Sequence, residues 1–146
     1  MKTTSFLRYL LPVVLLTSSA AFASQSVSDK AVKLSGTFVW TGHTKDQQLD
    51  ATLTPSGTNQ WAAAFSFLWD KKPHTWNGTL KGRLDNGDVS GEVTADGGHR
   101  TFQLQGKVVN GQLMFSHCET TGGKTVSTGT GVLKPATDKP GAVQKS

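Results

Sequence analysis

From Val32 to Leu133 apolar and polar residues alternate with a period of two, in runs separated by Gly, Asn, Asp and Pro clusters, and that period belongs to half-buried strands. The inward sets read Val32, Leu34, Gly36, Phe38, Trp40; Leu49, Ala51, Leu53; Trp61, Ala63, Phe65, Phe67, Trp69; and Trp76, Gly78, Leu80, Gly82, Leu84. They continue with Val89, Gly91, Val93, Ala95; Phe102, Leu104, Gly106, Val108; Leu113, Phe115, His117, Glu119; and Val126, Thr128, Thr130, Val132. Eight strands follow, and no segment carries a helical period. A sheet with one apolar face has to hide it. Sequential strands joined by short turns do so as an eight-stranded antiparallel up-and-down meander barrel or, alternatively, as a flattened β-sandwich. Closure is the expected outcome, because it removes the edges that Phe38-Val39-Trp40 and residues 62–68 would otherwise expose.

An internal repeat supports the hairpin reading. Gly82-x-Leu84-x-Asn86-Gly87-x-Val89 recurs as Gly106-x-Val108-x-Asn110-Gly111-x-Leu113, and Asn-Gly between alternating runs is the signal of a two-residue type I′ turn. The first copy predicts Leu84 opposite Val89, Gly82 opposite Gly91 and Leu80 opposite Val93. The second predicts Val108 opposite Leu113, Phe115 opposite Gly106, His117 opposite Leu104 and Glu119 opposite Phe102. Asp70–Pro73, taken as a four-residue loop, sets Phe67 against Trp76, Phe65 against Gly78 and Trp61 against Gly82, so that rings cover glycine backbone. Further turns are expected at Thr54–Gly57, Asp96–His99 and Thr120–Gly123. Gly36, Phe38 and Trp40 in the first run resemble the opening strand of lipocalin-like and avidin-like barrels, without their Gly-x-Trp spacing. That resemblance implies a calycin-like or avidin-like shape and transfers no site.

Residues 1–23 have the parts of a secretory signal: Lys2 and Arg8, the apolar run Leu10–Leu16, and small residues at Ala21 and Ala23. Cleavage near Ala23 is expected to give a periplasmic or secreted, soluble product, with no membrane span in the mature form. Residues 24–31 read as a flexible N-terminal segment, 32–134 as a single barrel domain and 135–146 as a flexible tail. Of the formal charge of +5, loss of Lys2 and Arg8 leaves thirteen bases against ten acids. Those bases are scattered, which speaks against nucleic acid as a partner. Cys118 is the lone cysteine, so no internal disulfide forms.

Spacing i, i+2 on a strand aims His117 and Glu119 the same way. Alternation sends Cys118 to the other face and leaves too few ligands for a metal, while His43, His74 and His99 fall near turns without ligand spacing. No metal or cofactor is therefore expected. Nine inward aromatics (Phe38, Trp40, Trp61, Phe65, Phe67, Trp69, Trp76, Phe102, Phe115) either fill the barrel or line a pocket. The leading functional expectation is a non-enzymatic module binding a small, partly apolar ligand, with Trp40, Phe67 and Trp76 stacking on it and His117 and Glu119 fixing a polar group, in a cavity that reaches His117. One alternative is an interaction protein, an inhibitor or envelope component with a filled core and an exported protein partner. Another is an enzyme using His117 and Glu119 as an acid–base pair.

Overall fold

The computed structural model describes residues 30–137; the expected signal segment and most of both expected tails lie outside the described residues. Eight strands follow in chain order: β1 Val32–Trp40, β2 Gln47–Gly57, β3 Gln60–Trp69, β4 Lys72–Gly82, β5 Gly87–Ala95, β6 Thr101–Val109, β7 Gln112–Thr121 and β8 Lys124–Pro135. Each pairs antiparallel with the next, and β8 returns to β1, closing the barrel. β8 thus runs one residue into the expected tail, and the Ala136 amide donates to the Lys33 carbonyl.

Alternation explains the interior. Leu34, Phe38, Leu49, Leu53, Phe65, Leu80, Val93, Phe102, Val108 and Leu133 are buried, and the other predicted inward aromatics lie in this core or pack against it. Outward positions such as Lys33, Asp50, Ser66, Asn77, Glu92 and Gln103 are polar, and Leu68, Val109 and Met114 are apolar residues exposed on the same outer face. Two glycines in β8 make room inside. Gly129 lies between Trp40 on β1 and His117 on β7, and Gly131 lies between Phe38 and Phe115. A Cβ on Gly131 would run into the Phe115 ring, so the rings occupy the space that the missing side chains leave.

The second Asn-Gly repeat forms the expected turn: Asn110 and Gly111 sit at φ 52° and 75°, and the pairs Val108–Leu113, Phe115–Gly106, His117–Leu104 and Glu119–Phe102 hold. Its first copy behaves differently. β4 leaves the ladder at Gly82, residues 83–86 form the loop, and Gly82 faces Val89, Leu80 faces Gly91 and Gly78 faces Val93. The cause is the residue before Asn. Asp85 accepts the Asn86 amide (2.9 Å) and the Arg83 Nε–H (3.0 Å), which stabilises a local turn. Val109 at the equivalent place has no such acceptor and stays in its strand, opposite Gln112.

The β3–β4 connection is a two-residue turn, with Asp70 and Lys71 at φ 50° and 62°, the primed geometry that matches strand twist. Trp69 therefore pairs with Lys72, Phe67 with His74, Phe65 with Trp76, Ala63 with Gly78 and Trp61 with Leu80, not the pairs a four-residue loop would give. Thr54–Gly57 is strand, not turn. Pro55 lies beside a register irregularity, where a missing amide is tolerated, and the chain reverses at Thr58–Asn59 with Asn59 at φ 51°.

A bulge between His117 and Cys118 changes the parity of β8. Its buried positions are Gly129, Gly131 and Leu133, Thr130 is exposed, and Val126 is 56% exposed. Of the expected inward set on that strand only Thr128 reaches a buried side chain, His117.

Candidate functional site

The strand order places the connections 41–46, 70–71, 96–100 and 122–123 at one end of the barrel. At that end lies a cavity of about 640 Å³. Trp40 closes β1, Phe67 and Trp69 end β3, Trp76 lies on β4 and Phe102 opens β6, so the five rings meet because these four strands converge there. Trp76 stacks on Phe102 at 4.6 Å between centroids, while Trp40 meets Trp76 at 5.6 Å and Trp69 at 6.0 Å, both edge-on. Edge-to-face and offset contacts are the favoured aromatic geometries, so the rings hold one another in place. His43 sets its edge against Trp69 and His74 stacks on Phe67, each at 5.5 Å.

Beneath this floor the barrel is filled, and His117 belongs to the filling. Among the described residues it is the one fully buried polar side chain, and it does not line the cavity. Its ring lies 5.2 Å from Trp40, 5.4 Å from Trp76 and 5.7 Å from Phe102. His117 Nδ1 is 2.7 Å from Thr128 Oγ1, and that hydroxyl is 3.1 Å from the His117 carbonyl. The hydroxyl has one proton. Both contacts are satisfied together only if Thr128 donates to the carbonyl and accepts from Nδ1–H. Nε2 is then a bare acceptor; it is buried without a hydrogen-bond partner, as is the Trp40 Nε1 donor. Burial, reinforced by the positive charge of Arg100, pushes the imidazole down to about 4, so His117 is uncharged at neutral pH.

Glu119 sits two residues further toward the mouth, where its side chain is 20% exposed. Arg100 donates from Nε to Oε1 (3.1 Å) and from Nη2 to Oε2 (2.7 Å). This fork holds the carboxyl below the usual Glu range and the guanidinium above its own. The Arg100 guanidinium carbon lies 4.9 Å from the Phe102 centroid and 5.6 Å from that of Trp40, within cation–π range.

The structure thus brings Trp40, Phe67 and Trp76 together in one cup and separates the other two expected residues. His117 lies under the floor with its Nδ1 committed to Thr128. Glu119 lies at the rim with its carboxylate committed to Arg100. The expectation of a cavity reaching His117 is corrected accordingly: the aromatic floor intervenes. Trp69, Phe102 and Arg100 complete the cup. Arg100 was findable, because it shares the parity of Phe102 and Leu104, and the register that sets Glu119 against Phe102 brings it within reach of that carboxylate.

Cys118 faces away from the interior, its Sγ 3.7 Å from the Gln103 carbonyl. Among the described residues no three His, Cys, Asp or Glu side chains are grouped to hold a metal ion. A second concavity, of about 670 Å³, lies across β6, β7, β8 and β1 and includes Thr37, Lys107, Met114 and Thr130; it holds no cluster of ionisable groups.

No protein-family model matches the sequence, and a search of curated proteins gives no match. Among solved structures, a redesigned β-barrel is similar over 73% of this chain and 90% of its own, with a TM-score of 0.56 and 15% identity. That likeness concerns the fold.

Proposed function

We propose that this barrel is an exported, non-enzymatic binding module that takes a small, partly apolar ligand in its mouth. The observation that carries the reading is the open aromatic cup above a filled core. Five rings, already fixed by contacts with one another, border a cavity of about 640 Å³, within the few hundred to a thousand Å³ typical of small-molecule sites. A flat apolar body inserted there gains burial at about 25 cal/mol per Å² without the cost of ordering the walls. Half-buried Trp40 supplies most of the stacking surface, the buried Phe67 and Trp76 present only their outermost atoms to it, and Glu119 acts through Arg100 at the rim. His117 acts by holding the floor rather than by touching the ligand. Export rests on the composition of residues 1–23, and a water-facing barrel agrees with the polar outer positions.

The acid–base reading lacks geometric support: the Glu119 carboxylate is engaged by Arg100 and the His117 imidazole by Thr128. The test is a titration with the neutral fluorophore N-phenyl-1-naphthylamine, following tryptophan quenching and probe emission. Saturable one-to-one binding is expected, weakened by Trp69→Ala, which trims a half-buried rim residue. Absence of saturable binding by the wild-type barrel would overturn the proposal.

A further inference from the structure

We infer that the cup selects an amphipathic anion, a flat apolar body carrying a carboxylate- or sulfonate-like group that docks on Arg100. The inference rests on the cup reading above and adds the charge class of the ligand. Arg100 uses one edge of its guanidinium, Nε and Nη2, on Glu119. A guanidinium has five N–H donors in a planar fork, so the edge made by Nη1 and the outer hydrogen of Nη2 remains open to a second anionic oxygen pair. Glu119 fixes the plane of the fork, and the rings of Phe102 and Trp40 lie against it at 4.9 and 5.6 Å. An anion on the open edge therefore sets its attached body down on the aromatic floor.

The other polar groups of the wall add hydrogen-bond donors near that edge. The cavity wall holds His43, His74, His99, Arg100 and a single acid, Asp96. Asp96 Oδ2 already accepts the Thr75 amide at 2.8 Å, and Glu119 is occupied by Arg100. Three imidazoles that can donate N–H and one arginine fork share the wall with one carboxylate, of which Oδ2 accepts the Thr75 amide. An organic cation would gain the rings and the Asp96 carboxylate but would share the mouth with the Arg100 guanidinium.

Three naphthalene probes of one shape decide the matter: 2-naphthalenesulfonate, 2-naphthylmethanol and 2-naphthylmethylammonium. Their dissociation constants are read from shifts of the tryptophan indole N–H resonances. The sulfonate is expected to bind about tenfold more tightly than the alcohol, the scale of charge-assisted hydrogen bonds at a half-exposed arginine, and the ammonium more weakly than either. Glu119→Gln, which leaves Arg100 without its counter-charge, should widen the sulfonate-to-alcohol ratio by about threefold; Arg100→Gln should reduce it to about one. A ratio near one in the wild type, or an ammonium that binds best, overturns the inference while alcohol binding leaves the cup reading intact. Failure of all three probes to saturate overturns both. Because each variant is judged by the ratio of two ligands, a partial loss of folded protein cancels.

Discussion

His117 makes the stability of this barrel depend on pH in a window that few other groups share. In the unfolded chain an imidazole titrates near 6.5, and in the fold it is pushed down to about 4 by burial and by Arg100. Between those values the unfolded chain binds the proton and the folded chain does not, so stability is full above the unfolded value and falls as the pH is lowered. At about 1.4 kcal/mol per pH unit, the whole effect is about 3 kcal/mol, of which about 2–3 kcal/mol is lost between pH 7.5 and 4.5. The carboxylates with depressed values, Glu119 and Asp85, contribute stability that is lost only as the pH falls through their own lower values, beneath this window. For a domain of this size about 2–3 kcal/mol corresponds to a drop in Tm on the order of 10 °C. The assay is thermal melting at half-unit pH intervals on the wild type and on His117→Asn, whose amide can still donate to Thr128 Oγ1 but cannot titrate. The variant is expected to be less stable overall and to lose most of the slope. A wild-type Tm that is level from pH 7.5 to 4.5, or a variant with the same slope, refutes the reasoning. An NMR titration of the His117 ring that finds a midpoint near 6.5 refutes it equally.

Two sites beneath the cup and one at the opposite end of the barrel test the packing. Thr128→Val keeps the shape but strips both partners from the His117 backbone carbonyl and Nδ1; the expected cost is about 1–3 kcal/mol by denaturant titration, with Thr128→Ser recovering most of it. Gly129→Ala would place a Cβ 2.6 Å from His117 Nε2 and against the Val39 carbonyl. Because a backbone oxygen cannot give way, the loss should reach about 1–3 kcal/mol or more, seen as a lowered midpoint. Trp61→Phe at the opposite end removes the indole N–H that donates to the Gly82 carbonyl at 3.0 Å, and should cost about 1 kcal/mol while leaving probe binding at the mouth unchanged.

The facing of side chains was legible in the sequence wherever errors of loop length came in twos. Reading Asp70–Pro73 as a loop of four instead of a turn of two, and Asn86-Gly87 as a turn instead of the end of a loop, each slid a register by two residues. A strand repeats its facing every two residues, so Phe65, Phe67, Trp76 and Leu80 still point inward. A bulge slides by one. The irregularity at His117–Cys118 therefore put Thr130 outside and the buried Gly129 and Gly131 inside, and nothing in the run Val126, Thr128, Thr130, Val132 announces it. The cup is a different kind of omission. Alternation tells which residues face the interior but not the height at which each stands. Trp40, Trp69, Trp76 and Phe102 become a mouth only when the registers bring their strand ends level, and Arg100 stands between the Asp96–His99 turn and the run that opens at Phe102, outside either pattern.

The two ends of the barrel differ for reasons that bear on binding. At the far end Leu84 packs against the core from the 83–86 loop, the Trp61 indole is tied to the Gly82 carbonyl, and the Gly82 amide donates to the Asn59 carbonyl at 2.8 Å; apolar side chains and backbone hydrogen bonds seal it. At the mouth the turns at 70–71 and 122–123 are two residues each and send no comparable plug inward. The interior must end there on its own side chains. Large rings meeting edge-on at 5.6 and 6.0 Å make a rigid rim, but they do not tile a surface, and the space between them is the cup. Rigidity comes from below, where the side-chain-free Gly129 and Gly131 let His117 and Phe115 wedge under the floor. That ties the floor to one proton. An imidazolium at position 117 would bring an unpaired charge under Trp40, Trp76 and Phe102, on the same side of the barrel as Arg100. The titration that weakens the fold should therefore loosen the cup before the rest of the sheet, and probe affinity should fall at a higher pH than the one at which the barrel melts.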